Sequence, residues 1–211
     1  MIPWSYTFLD NFANCPHKAY RRYIAKDLPK EPATDAMRAG IEAHKELELS
    51  INKRLPVRRE WEPLIAPLRN IAKAEVKFGM TEDRQPIGFF DDPWGRGVCD
   101  VLIIKDNDAL LVDWKTGKVR EDPRELQVQA MLLKTNYPQV QHIKGCYVWL
   151  AEAKFGTMYD LEKGVDRCYH ATKAAVEEAK EYEDDFEWPK KPNPLCGWCP
   201  VSDCEHNRRG K

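Results

Sequence analysis

Aromatic and aliphatic residues recur three or four positions apart along the first third of the chain, then give way to short β-rich runs. "SYTFLDNFANC" and "HKAYRRYIAK" carry the helical spacing, with Ser5 or Thr7 available as an N-cap and Pro16 breaking one segment from the other. A second helix is expected over about 34–54, where "DAMRAGIEAHKELELSI" can start at Thr34 or Asp35, and a third over about 61–73. "AEVKFGM", "WGRGVCDVLII", "ALLVDWK" and "IKGCYVWLA" then read as strands, with a helix at about 122–136 between the third and the fourth. A final amphipathic helix spans about 165–184, with Val165, Cys168, Tyr169, Thr172, Val176 and Ala179 along one side. The tail, "EWPKKPNPLCGWCPVSDCEHNRRGK", is too rich in Pro and Cys for a regular element. No Ser/Gly-rich linker, charge tract or repeat divides the 211 residues. The expectation is therefore one α/β domain, with a helical part at 1–74, a core at 75–186 and a tail at 187–211.

Two of the strands carry charge inside apolar runs. Side chains alternate along a strand, so Asp113 and Lys115 share one face of "ALLVDWK", and Asp100 shares a face with Val98 and Leu102 in the strand before it. The connection "KDND" reads as a tight hairpin. With Asp106-Asn107 as its turn, Lys105 faces Asp108 and Asp100 comes directly opposite Asp113. Side chains so opposed have Cβ atoms about 5 Å apart, and like charges there repel. A divalent cation held by both carboxylates would compensate, since Mg²⁺ is typically bound through one or two carboxylates with waters and phosphate oxygens. Lys115 beside it would meet a phosphate or the attacking water. An acid-x-Lys triplet alone is most simply a solvated strand face, and Glu152-Ala153-Lys154 and Glu178-Ala179-Lys180 are two more. The upstream acid, the apolar flanks and the "TGK" turn set "DWK" apart.

Charge and cysteine placement sharpen this picture. With 33 basic and 34 acidic residues the net charge is −1, so any polyanion site must be local. Lys18, Arg21, Arg22 and Lys26 fall on one side of the helix after Cys15, and Lys118, Arg120, Arg208, Arg209 and Lys211 add a basic rim. This stripe reads either as DNA-contacting or as a solvated face. Tyr20, Tyr23, Trp94 and Trp114 are placed either to stack on unpaired bases or to pack in the core. No apolar run reaches the roughly 18 residues of a membrane span, and "MIPWSYTFLD" lacks the basic region and long apolar core of a signal peptide. A cytoplasmic protein without a membrane partner is expected. There is no G-x-x-x-x-G-K-[ST] loop, hence no ATP motor in this chain. Of the seven cysteines, Cys99, Cys146 and Cys168 lie in apolar segments and read as core thiols. "CGWCPVSDC" sets Cys196, Cys199 and Cys204 in a C-x₂-C-x₄-C run. Zinc would complete these three thiolates with His206 or a distant cysteine, whereas an iron–sulfur cluster would prefer four thiolates.

Taken together, Gly40 to His44 in "GIEAH", Gly97 to Asp100 in "GVCD", Asp113 to Lys118 in "DWKTGK" and Gln127 in "LQVQAML" resemble the PD-(D/E)XK nucleases. The likeness is to the RecB-like branch with an iron–sulfur cluster, which includes AddB and the CRISPR-associated exonucleases, and it runs from Trp4 to Cys204. It implies a restriction-endonuclease-like core: a central mixed sheet flanked by helices, with the helical N-terminus and the Cys-rich tail joined by a metal cluster. It implies that His44, Asp100, Asp113 and the carbonyl of Trp114 hold Mg²⁺ or Mn²⁺, and that Asp100, Asp113, Lys115 and Gln127 carry catalysis. A His44 ligand makes Mn²⁺ at least as acceptable as Mg²⁺. Glu75 resembles the acid that often opens the first core strand, in either a supporting or a structural role. Two departures stand out: Cys99 occupies the position of the motif's Pro, and Met131 replaces the Tyr of the glutamine motif. Gln129 lies about 200° round the helix from Gln127, so one of them faces the site, and the motif frame favours Gln127. The fourth cluster ligand in these relatives is an N-terminal cysteine before a proline, which "NCPHKAY" places at Cys15. The resemblance thus implies a [4Fe–4S] cluster on Cys15, Cys196, Cys199 and Cys204, with zinc on His206 as the alternative.

The function so implied is a metal-dependent exonuclease acting on single-stranded or linear DNA, in repair or recombination, with a helicase as a possible partner. Two alternatives stay open, a structure-specific endonuclease of the same superfamily and a non-catalytic, zinc-containing nucleic-acid-binding module.

Overall fold

The computed structural model describes residues 3–29, 32–184 and 187–208. The chain forms two compact units, one of residues Ala33–Cys168 and one of the residues before Ala33 together with those after Cys168.

In the first unit, helix α3 (Asp35–Lys53) follows α1 (Tyr6–Asn14) and α2 (Pro16–Ala19) in chain order. The Thr34 side chain accepts from the Met37 amide to cap it, and Arg54 ends it in a left-handed turn at φ 56°. Ala43, Leu47 and Ile51 recur every fourth residue along its buried stripe. The helix expected over about 61–73 is shorter: α4 spans only Glu62–Ile65. Ala66 is still helical at φ −52° and ψ −43°, but Pro67 has no amide to continue the ladder, and the chain passes through turns before β1 (Ala72–Met80) starts.

The remaining strands are β2 (Pro86–Ile87), β3 (Gly95–Lys105), β4 (Asp108–Lys115), β5 (His142–Trp149), β6 (Lys154–Phe155) and β7 (Tyr159–Asp160). The sheet runs β2-β1-β3-β4-β5-β6, with β7 also on β5. The hairpin turn is at Asp106-Asn107, and Lys105 pairs with Asp108 as the "KDND" spacing requires. Among the described strands only β4 and β5 pair in parallel, because α5 (Arg124–Asn136) carries the chain across one face between them. The sheet is therefore mixed. Ala43, Leu47 and Ile51 of α3, Ile65 of α4 and Trp61 just before it pack on Val101, Val112, Trp114, Cys146 and Val148 of the sheet. Helix α5 is buried nearly all round, from Leu126 through Leu133. The mixed α/β sheet with helices against it is the restriction-endonuclease-like core that the sequence implied.

The second unit holds α1, α2, a π-helical turn (Tyr20–Ile24) and most of α6 (Val165–Asp184), followed by the tail. Ser5 caps α1, and Cys15 is extended at φ −165°, so the break expected at Pro16 falls on the residue before it. Phe12, Tyr20 and Tyr182 gather round Trp188, which is 7% exposed. The tail forms one 3₁₀ turn, Pro194–Trp198, capped by Asn193. Among the described residues no helix is long and apolar enough to cross a membrane.

Candidate metal centre and active site

The β3–β4 ladder stops at Val101↔Val112. Beyond that pair β3 continues beside β1, and β4 continues beside β5. The two strands part where the hairpin register would set Asp100 against Asp113. Asp100 Oδ2 instead accepts the Trp114 amide at 2.8 Å, so a side chain takes the place of the next backbone bond. In this way the fold relieves the opposition of two carboxylates.

Asp113 sits on the central strand, 3% exposed. Its Oδ2 lies 2.6 Å from Lys115 Nζ, and its Oδ1 accepts from Gln129 Nε2 at 3.2 Å. Lys115 also reaches Glu125 Oε2 at the start of α5, at 2.7 Å, and lies 5.2 Å from the centre of the Tyr147 ring. Burial first, then the Asp100 and Glu125 charges, push the Asp113 carboxyl up to about 7 against the pull of Lys115. For Lys115 burial alone would lower the pKa, but Asp113 and Glu125 outweigh it and the ammonium is held well above its usual value.

His44 stands across the opening. Its Nε2 is 3.1 Å from the Trp114 carbonyl oxygen and its Nδ1 is 3.5 Å from Asp100 Oδ2, and the bond to Asp100 raises its pKa. His44, Glu75 and Asp100 each offer a ligand atom, all within 4.8 Å of one another. Opposite ligands of an octahedral ion at about 2.1 Å stand about 4.2 Å apart, so a small contraction would close this imidazole–dicarboxylate set on Mg²⁺ or Mn²⁺. The donor set suits such an ion.

The structure thus gathers His44, Asp100, Asp113, Trp114 and Lys115. Gln127 is elsewhere, its amide donating to the Leu161 carbonyl at 2.8 Å, and Gln129 is the glutamine on Asp113. Sequence reasoning missed Glu125 and did not count Glu75 among the ligands. The groove beside His44 is walled by Met37, Gly40, Ile41 and Thr116, with Met37 57% and Ile41 66% exposed. The basic stripe is partly engaged. Arg21 binds Asp27 at 2.7 Å and Asp203 at 2.9 Å, and Arg22 lies over the Tyr23 ring. Lys118, Arg120 and Arg208 are exposed, whereas Arg209 and Lys211 lie outside the described residues. Of the aromatics considered for stacking, Tyr20 packs on Trp188, Tyr23 packs on Phe8 and Trp114 is buried.

In the second unit Cys15, Cys196, Cys199 and Cys204 line one small cavity, as does His206. No disulfide joins any of the seven cysteines, all of them described residues; Cys99 and Cys146 are buried and Cys168 is half-buried. Hydrogen bonds already link the two ends of the chain around this cavity. Asn193 Nδ2 donates to the Asn14 carbonyl at 2.9 Å, and the His17 amide donates to the Pro189 carbonyl at 3.1 Å. Four thiols converging from both ends suit a metal cluster.

The model of the PD-(D/E)XK nuclease superfamily matches residues 51–204, and the chain belongs to that superfamily. Members use divalent metals to cut nucleic acid, and the strand carrying Asp113 and Lys115 lies inside the matched span. The solved structure titled "Crystal structure of SSO0001" aligns with a TM-score of 0.50 at 12% identity, over 98% of this chain and 88% of that one. At that identity the likeness is one of fold. A search of curated proteins finds no match.

Proposed function

We propose that this nuclease is an exonuclease of the RecB-like branch, hydrolysing phosphodiester bonds of single-stranded or linear DNA with Mg²⁺ or Mn²⁺. The observation that carries it is the opening between β3 and β4, where His44, Asp100, Asp113, the Trp114 carbonyl and Lys115 converge. His44, Asp100, Asp113 and the Trp114 carbonyl would hold the ion or ions, which would supply charge to polarise the phosphoryl group and ease loss of a proton from water. Lys115 offsets charge at the phosphate oxygens in the transition state and orients the attacking water. Gln129, through Asp113, is the positioning glutamine in place of Gln127. The apolar wall of Met37 and Ile41 favours sugar and base contact over phosphate contact, which supports an unpaired strand as substrate. With Lys18, Arg21, Arg22 and Lys118 we associate only backbone attraction.

In the second unit we assign a [4Fe–4S] cluster to Cys15, Cys196, Cys199 and Cys204 in preference to zinc with His206, supported by the convergence of four thiols on one cavity. We place the protein in the cytoplasm, in repair or recombination. We further propose a helicase as its partner.

End-labelled single- and double-stranded DNA with Mg²⁺ or Mn²⁺ tests the activity. Linear DNA should be degraded and covalently closed circles should survive; nicking of closed circles would favour the endonuclease reading. Asp100→Asn, Asp113→Asn and Lys115→Ala should each lower cleavage by about 10²-fold or more while the fold persists. Gln129→Ala should slow cleavage more than Gln127→Ala. Cleavage that survives Asp113→Asn undiminished would refute the site.

A further inference from the structure

We propose that Glu75 is a direct ligand of the divalent ion, and that binding of that ion compensates a left-handed backbone turn which β1 otherwise maintains at a cost; this rests on reading the opening between β3 and β4 as a metal centre. Glu75 lies inside β1 with φ 55°, a conformation that a side chain with a Cβ adopts at a cost of about 1–2 kcal/mol. The pairing of β1 with β3 passes from Ala74↔Val101 to Val76↔Cys99 and omits the pair between them, Glu75 with Asp100. Asp100 is also the residue at which β3 leaves β4. Both ladders therefore fail at one acid, and the residue across from it on β1 is a second acid in a strained conformation.

The half-buried Glu75 carboxylate makes no hydrogen bond or ion pair among the described residues, while Lys115 is engaged by Asp113 and Glu125. With Asp100 and His44, Glu75 forms a set of ligand atoms within 4.8 Å of one another. A supporting residue would be expected to hydrogen-bond a ligand and a structural one to relax its backbone, and Glu75 does neither. A divalent cation accounts for both features, because it replaces carboxylate repulsion with two attractions and fixes the side chain that the turn presents. The site would then add a ligand from β1 to those from α3, β3 and β4, where Lys115 and Gln129 hold Asp113.

The test uses the purified full chain, with Mn²⁺ binding measured by calorimetry and melting followed with and without Mn²⁺. Glu75→Gln keeps the size of the side chain and should weaken Mn²⁺ by about tenfold or more, at least what loss of a residue supporting a ligand costs. Glu75→Gly accepts positive φ, so its metal-free form should melt at or above wild type while losing most of the Mn²⁺-induced rise. Asp100→Asn is the control for the site itself. If Asp100→Asn loses Mn²⁺ binding but Glu75→Gln stays within about twofold of wild type, the Glu75 assignment fails and the metal centre stands. If neither substitution changes Mn²⁺ binding, the metal-centre reading fails. A metal-free Glu75→Gly protein that melts below wild type would show that the turn is not strained as argued.

Discussion

At the scale of single residues, the chemistry turns on an excess of negative charge. Lys115 pairs with Asp113 and Glu125, while Asp100 faces His44. Held by two carboxylates, the Lys115 ammonium is kept above its usual pKa, so in this state its contribution is electrostatic. The same arrangement makes the metal-free protein sensitive to pH. Burial, then Asp100 and Glu125, lift Asp113 to about 7 from an unfolded value of about 3.9. The folded form therefore binds the proton more tightly than the unfolded chain. That stability is fully present below the unfolded pKa and is lost as pH rises through the folded one. His44, raised by its bond to Asp100, acts in the same direction. Chelator-treated protein should melt lower at pH 8 than at pH 5, Mn²⁺ should largely erase the difference, and Asp113→Asn should flatten it. A melting temperature that is level or rises with pH across that window would contradict this account.

At the scale of elements, what the sequence revealed depended on whether a rule of local geometry fixed it. The Asp113–Lys115 pair and the position of Asp100 follow from strand alternation and a two-residue turn, and the observed hairpin register agrees. The break in that ladder, which replaces a directly opposed acid pair, depends on β1 and β5 competing for the strand ends and is not local. Gln129 was ambiguous for a related reason. Helix α5 is buried nearly all round, with Gln129 itself among the buried residues, so its pattern does not tell which side meets β4. Strands β2, β6 and β7 have two residues each, too few for any periodicity to show. The glycine of the "GVCD" motif has a packing reason. A Cβ on Gly97 would stand 2.7 Å from Leu132 Cδ1, and Leu132 is fully buried on α5. Gly97→Val should therefore destabilise by about 1–3 kcal/mol in denaturant unfolding through overpacking. Mn²⁺ affinity should stay within about twofold when the protein is held below its transition, since the metal ligands are untouched. A loss of affinity without a loss of stability would mean that Gly97 acts on the site itself.

At the scale of the whole molecule, Cys15 lies near the start of the chain and the other three thiols near its end, and all four line one cavity. Closing a loop of this length removes more entropy from the unfolded chain than closing a short one. Binding free energy at such a centre is folding free energy. If these thiols hold iron and sulfide, protein purified without oxygen should be brown, absorb broadly near roughly 400 nm and carry about four irons per chain. Zinc would leave it colourless. Cys15→Ser should lower both iron content and melting temperature, because it removes a covalent tie that the hydrogen bonds of Asn193 to Asn14, His17 to Pro189, Lys191 to Ala13 and Arg21 to Asp203 supplement. The neutral bonds among these contribute only about 1 kcal/mol each. His206→Ala should change neither, since its Nε2 stands 3.6 Å from Glu205 in an exposed pair. The two substitutions separate the alternatives: unchanged metal and melting in Cys15→Ser, with both lowered in His206→Ala, would replace the cluster by a local zinc site on three cysteines and a histidine.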